Sequence, residues 1–221
     1  ITGSNTGSVT NLSGTFAGMG TLSDMGTGQL KSANATYTIT GSNTGSVTNL
    51  AGTCAGMGTL SDTGTKGTLK EATATWTVNG SNTGSVTNLS GTFAGMANLS
   101  DTGTGQLKAA TATWTVTGSN TGSVTNLSGT FAGMGTLSDT GTGQLKSANA
   151  TYTITGSNAG SVTNLSGTFA GMGTLSDTGT AGTLKEATAT WTVAAGSNTG
   201  SVPNLSGTFA GMATLSDTGT G

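Results

Sequence analysis

The chain has 221 residues, 40 of them glycine, with six lysines, eight acidic residues, no histidine and a net charge of −2. So little positive charge argues against nucleic acid, which needs a basic stripe to displace phosphate counterions, and against a polybasic membrane contact. No apolar run approaches the roughly 18 to 20 residues that span a bilayer, and acid, base and metal-ligand roles find few candidates, so neither an enzyme nor a cofactor is expected.

The chain opens inside its organising motif. Gly3-Ser4-Asn5-Thr6-Gly7-Ser8-Val9 returns with its glycine at Gly41, Gly80, Gly118, Gly156 and Gly196, at intervals of 38, 39, 38, 38 and 40 residues. A period of this size marks a solenoid, propeller or array. Residues 1–221 read as a single repeat array, expected to be an internal piece of a longer protein because Ile1 and Gly221 both fall inside a repeat.

Each unit divides into two related halves. Ser4-Asn5-Thr6-Gly7-Ser8 is answered 19 residues on by Ser23-Asp24-Met25-Gly26-Thr27, and further along Val9, Leu12 and Phe16 find counterparts in Leu30, Ala33 and Tyr37. The expected fold is all-β, a parallel β-helix (β-solenoid) with about 19 residues per turn and two turns per repeat of about 38. Strands are predicted at 37–40, 45–48 and 49–53, where Tyr37/Ile39 and Trp76/Val78 alternate with threonine. Gly, Ser and Asn supply the corners. Glycine abundance and the lack of a 3.6-residue stripe argue against helix.

Cys54 stands where other repeats have Phe16, Phe93, Phe131, Phe169 and Phe209, and is expected to fill a core position. The Met19, Met57, Met96, Met134, Met172 and Met212 file reads as packing. Units one and four share Gln-Leu-Lys-Ser-Ala-Asn-Ala-Thr-Tyr, and units two and five share Gly-Thr-Leu-Lys-Glu-Ala-Thr-Ala-Thr-Trp, so blocks of three units repeat. The insertions Lys66, Ala181 and Ala194/Ala195 are expected at turns.

Stacked turns make columns. One carries Thr44, Thr63, Thr83, Thr102, Thr121, Thr140 and Thr178; a second, beyond an intervening glycine, carries Thr65, Thr104, Thr142 and Thr180. This hydroxyl array admits two readings: outward threonines bonding their own backbone, or an ice-matching surface. Trp76, Trp114 and Trp191, alternating with Tyr37 and Tyr152, form either a core file or a carbohydrate-stacking strip. The alternating Asn5, Asp24, Asn43, Asp62, Asn82, Asp101 column favours a structural ladder over calcium, since alternation separates like charges. Asp-Thr-Gly at Asp62, Asp101, Asp139, Asp177 and Asp217 spells the aspartic-protease triplet but lacks the facing pair such an enzyme needs. Asn-Leu-Ser at Asn11, Asn88, Asn126, Asn164 and Asn204 matches the glycosylation acceptor.

The succession Trp114-Thr115-Val116-Thr117-Gly118-Ser119-Asn120-Thr121-Gly122-Ser123-Val124, followed by Phe131-Ala132-Gly133 and Leu137, resembles repeats of filamentous-haemagglutinin-like adhesins and related large bacterial extracellular β-strand repeat proteins. The resemblance runs along the whole chain. It implies a parallel β-helix acting as a stalk, fibre or adhesive surface outside the cell or on its surface, and it carries over no catalytic or binding residue. The expected function is therefore a structural extracellular β-solenoid, with ice binding and carbohydrate adhesion as alternatives. Expected partners are other copies, meeting end to end or side by side through open strand edges, and a host surface or glycan.

Overall fold

The structure, a computed structural model, describes residues 1–219. All its regular elements are β-strands, with no helix among the described residues. The chain forms two compact units, one of Ile1–Gly105 with Asn126–Thr130, the other of Gln106–Thr125 with the chain from Phe131 on. Each is built of β-solenoid turns.

The second repeat shows how a turn is made. Thr59–Asp62 and Gly67–Glu71 run in one direction, interrupted by a bend, and Thr75–Gly80 follows after a second bend. The chain then reverses into Thr83–Val86, pairing Trp76 with Val86 and Val78 with Gly84 in an antiparallel hairpin. Asn82 sits at the tip with φ of 53°, a left-handed conformation that asparagine tolerates and most residues do not. A turn over 87–92 leads to Phe93, opposite Gly84. The segment expected as a strand at 49–53 is the equivalent turn, with Asn49 at φ of 77°.

Successive turns associate in parallel, and their spacing corrects the 19-residue expectation. In the first unit Leu30 pairs with Leu60 and Leu60 with Phe93, while Tyr37 pairs with Leu69 and Leu69 with Leu99. In the second, Trp114 pairs with Leu145, Leu145 with Leu175 and Leu175 with Phe209. Leu184 meets Leu215, 31 residues on. Each turn is thus shorter than the 38-residue repeat, and stacking slides the sequence by about seven residues per turn. The slide works because apolar anchors recur at that interval: Phe131, Leu137, Leu145 and Tyr152 are all fully buried. A slip of one anchor returns every apolar side chain to the core face, where a slip of one residue would expose them all. Columns read Trp or Tyr, Leu, Leu, Phe, so the largest rings do not stack on one another.

Insertions act at the bends. Met96–Ala109 and Phe131–Ser147 run unbroken through the Asp-Thr-Gly-Thr-Gly segment. Lys66 and Ala181 split the corresponding strands into Thr59–Asp62 and Gly67–Glu71, and into Phe169–Asp177 and Gly182–Glu186.

Met57, Met96, Met134, Met172 and Met212 are buried core residues, as is Cys54. Cysteine in the phenylalanine position leaves a cavity of about 10 Å³ bordered by Ile39, Gly45, Met57, Leu60 and Leu89. Cys54→Phe is expected to stabilise the chain by about 1 kcal/mol, since filling restores the contacts a cavity forfeits. A higher melting temperature in calorimetry is the expected result, and a lower one means the site is already full. Burial also pushes the Cys54 thiol up from its ordinary value, so a thiol reagent should label it only after unfolding.

Candidate functional site

The chemistry of the chain concentrates at the Asp-x-Gly segments, whose aspartates reach the bend of a neighbouring turn. Asp101 is 5% exposed. Its Oδ1 accepts Thr73 N–H at 2.9 Å and Gly103 N–H at 2.8 Å, and its Oδ2 accepts Ala74 N–H at 2.8 Å and the indole Nε1–H of Trp76 at 3.1 Å. Asp139 repeats this with Thr111, Gly141, Ala112 and Trp114. Asp62 and Asp177 accept three backbone donors each, Asn34, Ala35 and Gly64 for the first and Asn149, Ala150 and Gly179 for the second. In these two repeats the aromatic is tyrosine, whose hydroxyl donates to carbonyls instead: Tyr37 to Ser32 and Ser61, Tyr152 to Ser147 and Ser176. The aspartates are therefore caps that satisfy a bend's inward N–H groups. Backbone donors from Gly219, Ala189 and Thr188 hold the exposed Asp217 below the usual carboxylate range.

The threonine columns separate into two places. Thr44, Thr83 and Thr121 begin the return strands of hairpins and are half-buried. Thr63, Thr65, Thr178 and Thr180 lie at the bends of the split strands, and Thr102, Thr104, Thr140 and Thr142 lie at the equivalent places of the unbroken ones, all of them exposed. A six-residue strand such as Thr75–Gly80, roughly 20 Å long, lies between bend and hairpin tip, so the two sets do not form one file. The hydroxyls of Thr63, Thr102 and Thr140 point back to the carbonyls of Ser32, Glu71 and Ala109 at 3.4 to 3.5 Å.

Trp76 and Trp114 are 0% exposed, so neither ring face can stack on a sugar. Trp191 is half-buried and edge-on to Phe209 at 6.2 Å. The asparagine column also divides: the hairpin-tip asparagines clasp the next turn. Asn43 N donates to Asn88 O and its Oδ1 accepts Ser90 N, and Asn158 does the same with Asn204 and Ser206.

One pair of residues carries a role the sequence reading missed. Glu71 is 4% exposed; its Oε1 accepts Asn88 Nδ2–H at 2.6 Å, while Oε2 has no partner. Glu186 is bonded to Asn204 in the same way and its Oε2 is likewise unpartnered. The signal was a single substitution, since Ser32, Ala109 and Ser147 follow the same lysine in the other repeats. Burial pushes Glu71 above its ordinary value, against the pull of the Asn88 hydrogen bond. Beside it lies an open groove of about 330 Å³ bordered by Thr38, Thr40, Lys70, Asn88 and Thr102.

No cluster of three or more His, Cys, Asp or Glu side chains placed to hold a metal forms among the described residues. No helix among them is long and apolar enough to cross a membrane. Comparison with protein-family models, with curated proteins and with solved structures found no match.

Proposed function

We propose that the chain is a structural β-solenoid, a stalk- or filament-forming segment of a large extracellular or cell-surface protein of the adhesin type. The observation that carries this reading is where the polar side chains go. The buried aspartates cap bends, the hairpin-tip asparagines clasp neighbouring turns, and the Trp and Tyr polar atoms bond inside, so the residues that could do chemistry are spent on holding turns together. The resemblance of the motif to adhesin repeats supports the extracellular setting.

The same reading includes association with like turns. Val9 is 55%, Leu12 49% and Met19 47% exposed, whereas their counterparts Val47, Leu50 and Met57 are buried. Asn198, whose counterpart Asn158 clasps Asn204 and Ser206, is exposed. A further turn of the same sequence, from the same protein or from a second copy, would in the register seen inside each unit set an equivalent of Asn198 against Asn11 and Ser13, and an equivalent of Leu215 against Phe16. Electron microscopy and sedimentation across a concentration series test it. Assemblies with a ~4.8 Å axial repeat that Leu12→Lys abolishes are expected, and a chain that stays single at every concentration overturns the association. Thermal hysteresis lost in Thr104→Tyr would favour ice binding through the exposed threonines of the Asp-Thr-Gly-Thr segments instead.

A further inference from the structure

Glu71 and Asp101 are register partners on adjacent parallel strands, and both are buried. The donors at this bend all go to Asp101: Thr73, Ala74 and Gly103 N–H and the Trp76 indole. Glu71 receives only the Asn88 amide, and its second oxygen receives nothing. A buried carboxylate oxygen without a donor is costly, and a neighbouring carboxylate makes it more so. No cation offsets it. The strand Thr36–Gly41 on the other side brings Tyr37 opposite Leu69 and no charge. The 87–92 turn has no titratable residue. Lys70, adjacent in sequence, borders the open groove beside Glu71, but it alternates to the half-buried, outer side of the strand while Glu71 is on the buried side.

We propose that Glu71 is a proton-held latch of its turn: protonated, it lets the turn carrying Asn88 close over it, and deprotonated beside Asp101 it drives that turn open. The second unit has the same arrangement in Glu186, Asn204 and Asp217, with Asp217 exposed, which makes Glu71 the stronger case. The direction follows from linkage. Burial raises Glu71 above its ordinary 4.5 in the closed turn, so the closed form binds the proton more tightly than the open one. Closure is therefore complete in acid and weakens as pH climbs from 4.5 to the raised value, beyond which it is constant. The solenoid would tighten at this turn in an acidic compartment and loosen as pH rises above it.

Glu71 and Glu186 are the only glutamates, so a chain with ¹³C-labelled glutamate carboxyls and Glu186→Gln shows a single signal. Its midpoint is expected above 4.5. Hydrogen-exchange protection at Leu89 and Ser90, whose N–H groups bond Val86 O and Asn43 Oδ1, is expected to fall by up to about tenfold per pH unit between 4.5 and that midpoint, then level off. Glu71→Gln should abolish the slope. Glu71→Ser copies Ser32 and Ser147 of other repeats and keeps the test open should the glutamine variant fold poorly. A midpoint at or below 4.5, or a slope that survives either substitution, overturns the proposal.

Discussion

Asp139→Asn is expected to destabilise the chain by roughly 3 to 5 kcal/mol, the cost of breaking a buried, hydrogen-bonded charge. The aspartate has two oxygens and four donors: Thr111 and Gly141 on Oδ1, Ala112 and Trp114 Nε1 on Oδ2. Asparagine keeps one acceptor and turns its own N–H₂ towards two buried N–H groups, whichever way it flips. Urea unfolding followed by tryptophan fluorescence measures the loss, and a change below about 1 kcal/mol would show that the bend finds water instead. Asp177→Asn provides an internal scale. Its carboxylate serves only Asn149, Ala150 and Gly179, because Tyr152 donates elsewhere, so its loss should be smaller by about one hydrogen bond, ~1 kcal/mol.

These caps show why the repeat was readable and its stacking was not. Period, all-β character, corner residues and core files are local properties. Tyr37, Ile39, Trp76 and Val78 alternate with threonine because one strand face is buried, and Cys54 replaces a phenylalanine in an otherwise constant file. Register is not local. Ser-Asn-Thr-Gly-Ser and Ser-Asp-Thr-Gly-Thr look like two versions of one turn because both reverse or bend the chain around a side-chain amide or carboxylate. One is a hairpin tip and the other lies along the parallel-paired strands, unbroken in Met96–Ala109 and Phe131–Ser147 and bent where Lys66 or Ala181 is inserted, and nothing in either motif says which turn it will meet. The pairing is decided by anchors spaced six to eight residues apart, which permit a slide that keeps every side chain on its proper face. Glu71 escaped notice for the opposite reason. It is not periodic within the repeat, and its burial beside Asp101 exists only once that slide is known. The tryptophans were legible as a file, but whether a file faces inward depends on the same register.

Gly122→Ala is expected to cost more than about 3 kcal/mol, while Gly156→Ala should stay within about 0.5 kcal/mol of the parent chain. A β-carbon on Gly122 would lie 2.0 Å from the carbonyl oxygen of Thr115 and 2.8 Å from Cζ of Phe131, whereas one on Gly156 would meet nothing within 4 Å. The first contact is with backbone of the hairpin itself, held by the pairs Trp114–Val124, Thr115–Ser123 and Val116–Gly122, so relief requires opening the strand pair. The second is with a ring that lies across the hairpin from the following strand, where Phe131 opposes Gly122. At Gly84, Gly122, Gly160 and Gly200 the hairpin glycine and the phenylalanine of the following strand are thus one device: the ring occupies the space a side chain would take. Gly45 sits opposite Cys54, and its β-carbon would meet Thr38 O at 2.0 Å but no ring, so Gly45→Ala should still be severe through the backbone contact alone. Thermal melts of the three variants separate the contributions. Equal losses for Gly122→Ala and Gly45→Ala assign the constraint to the hairpin backbone, a larger loss at Gly122 assigns the remainder to Phe131, and a Gly156 variant as damaged as either would refute the packing described.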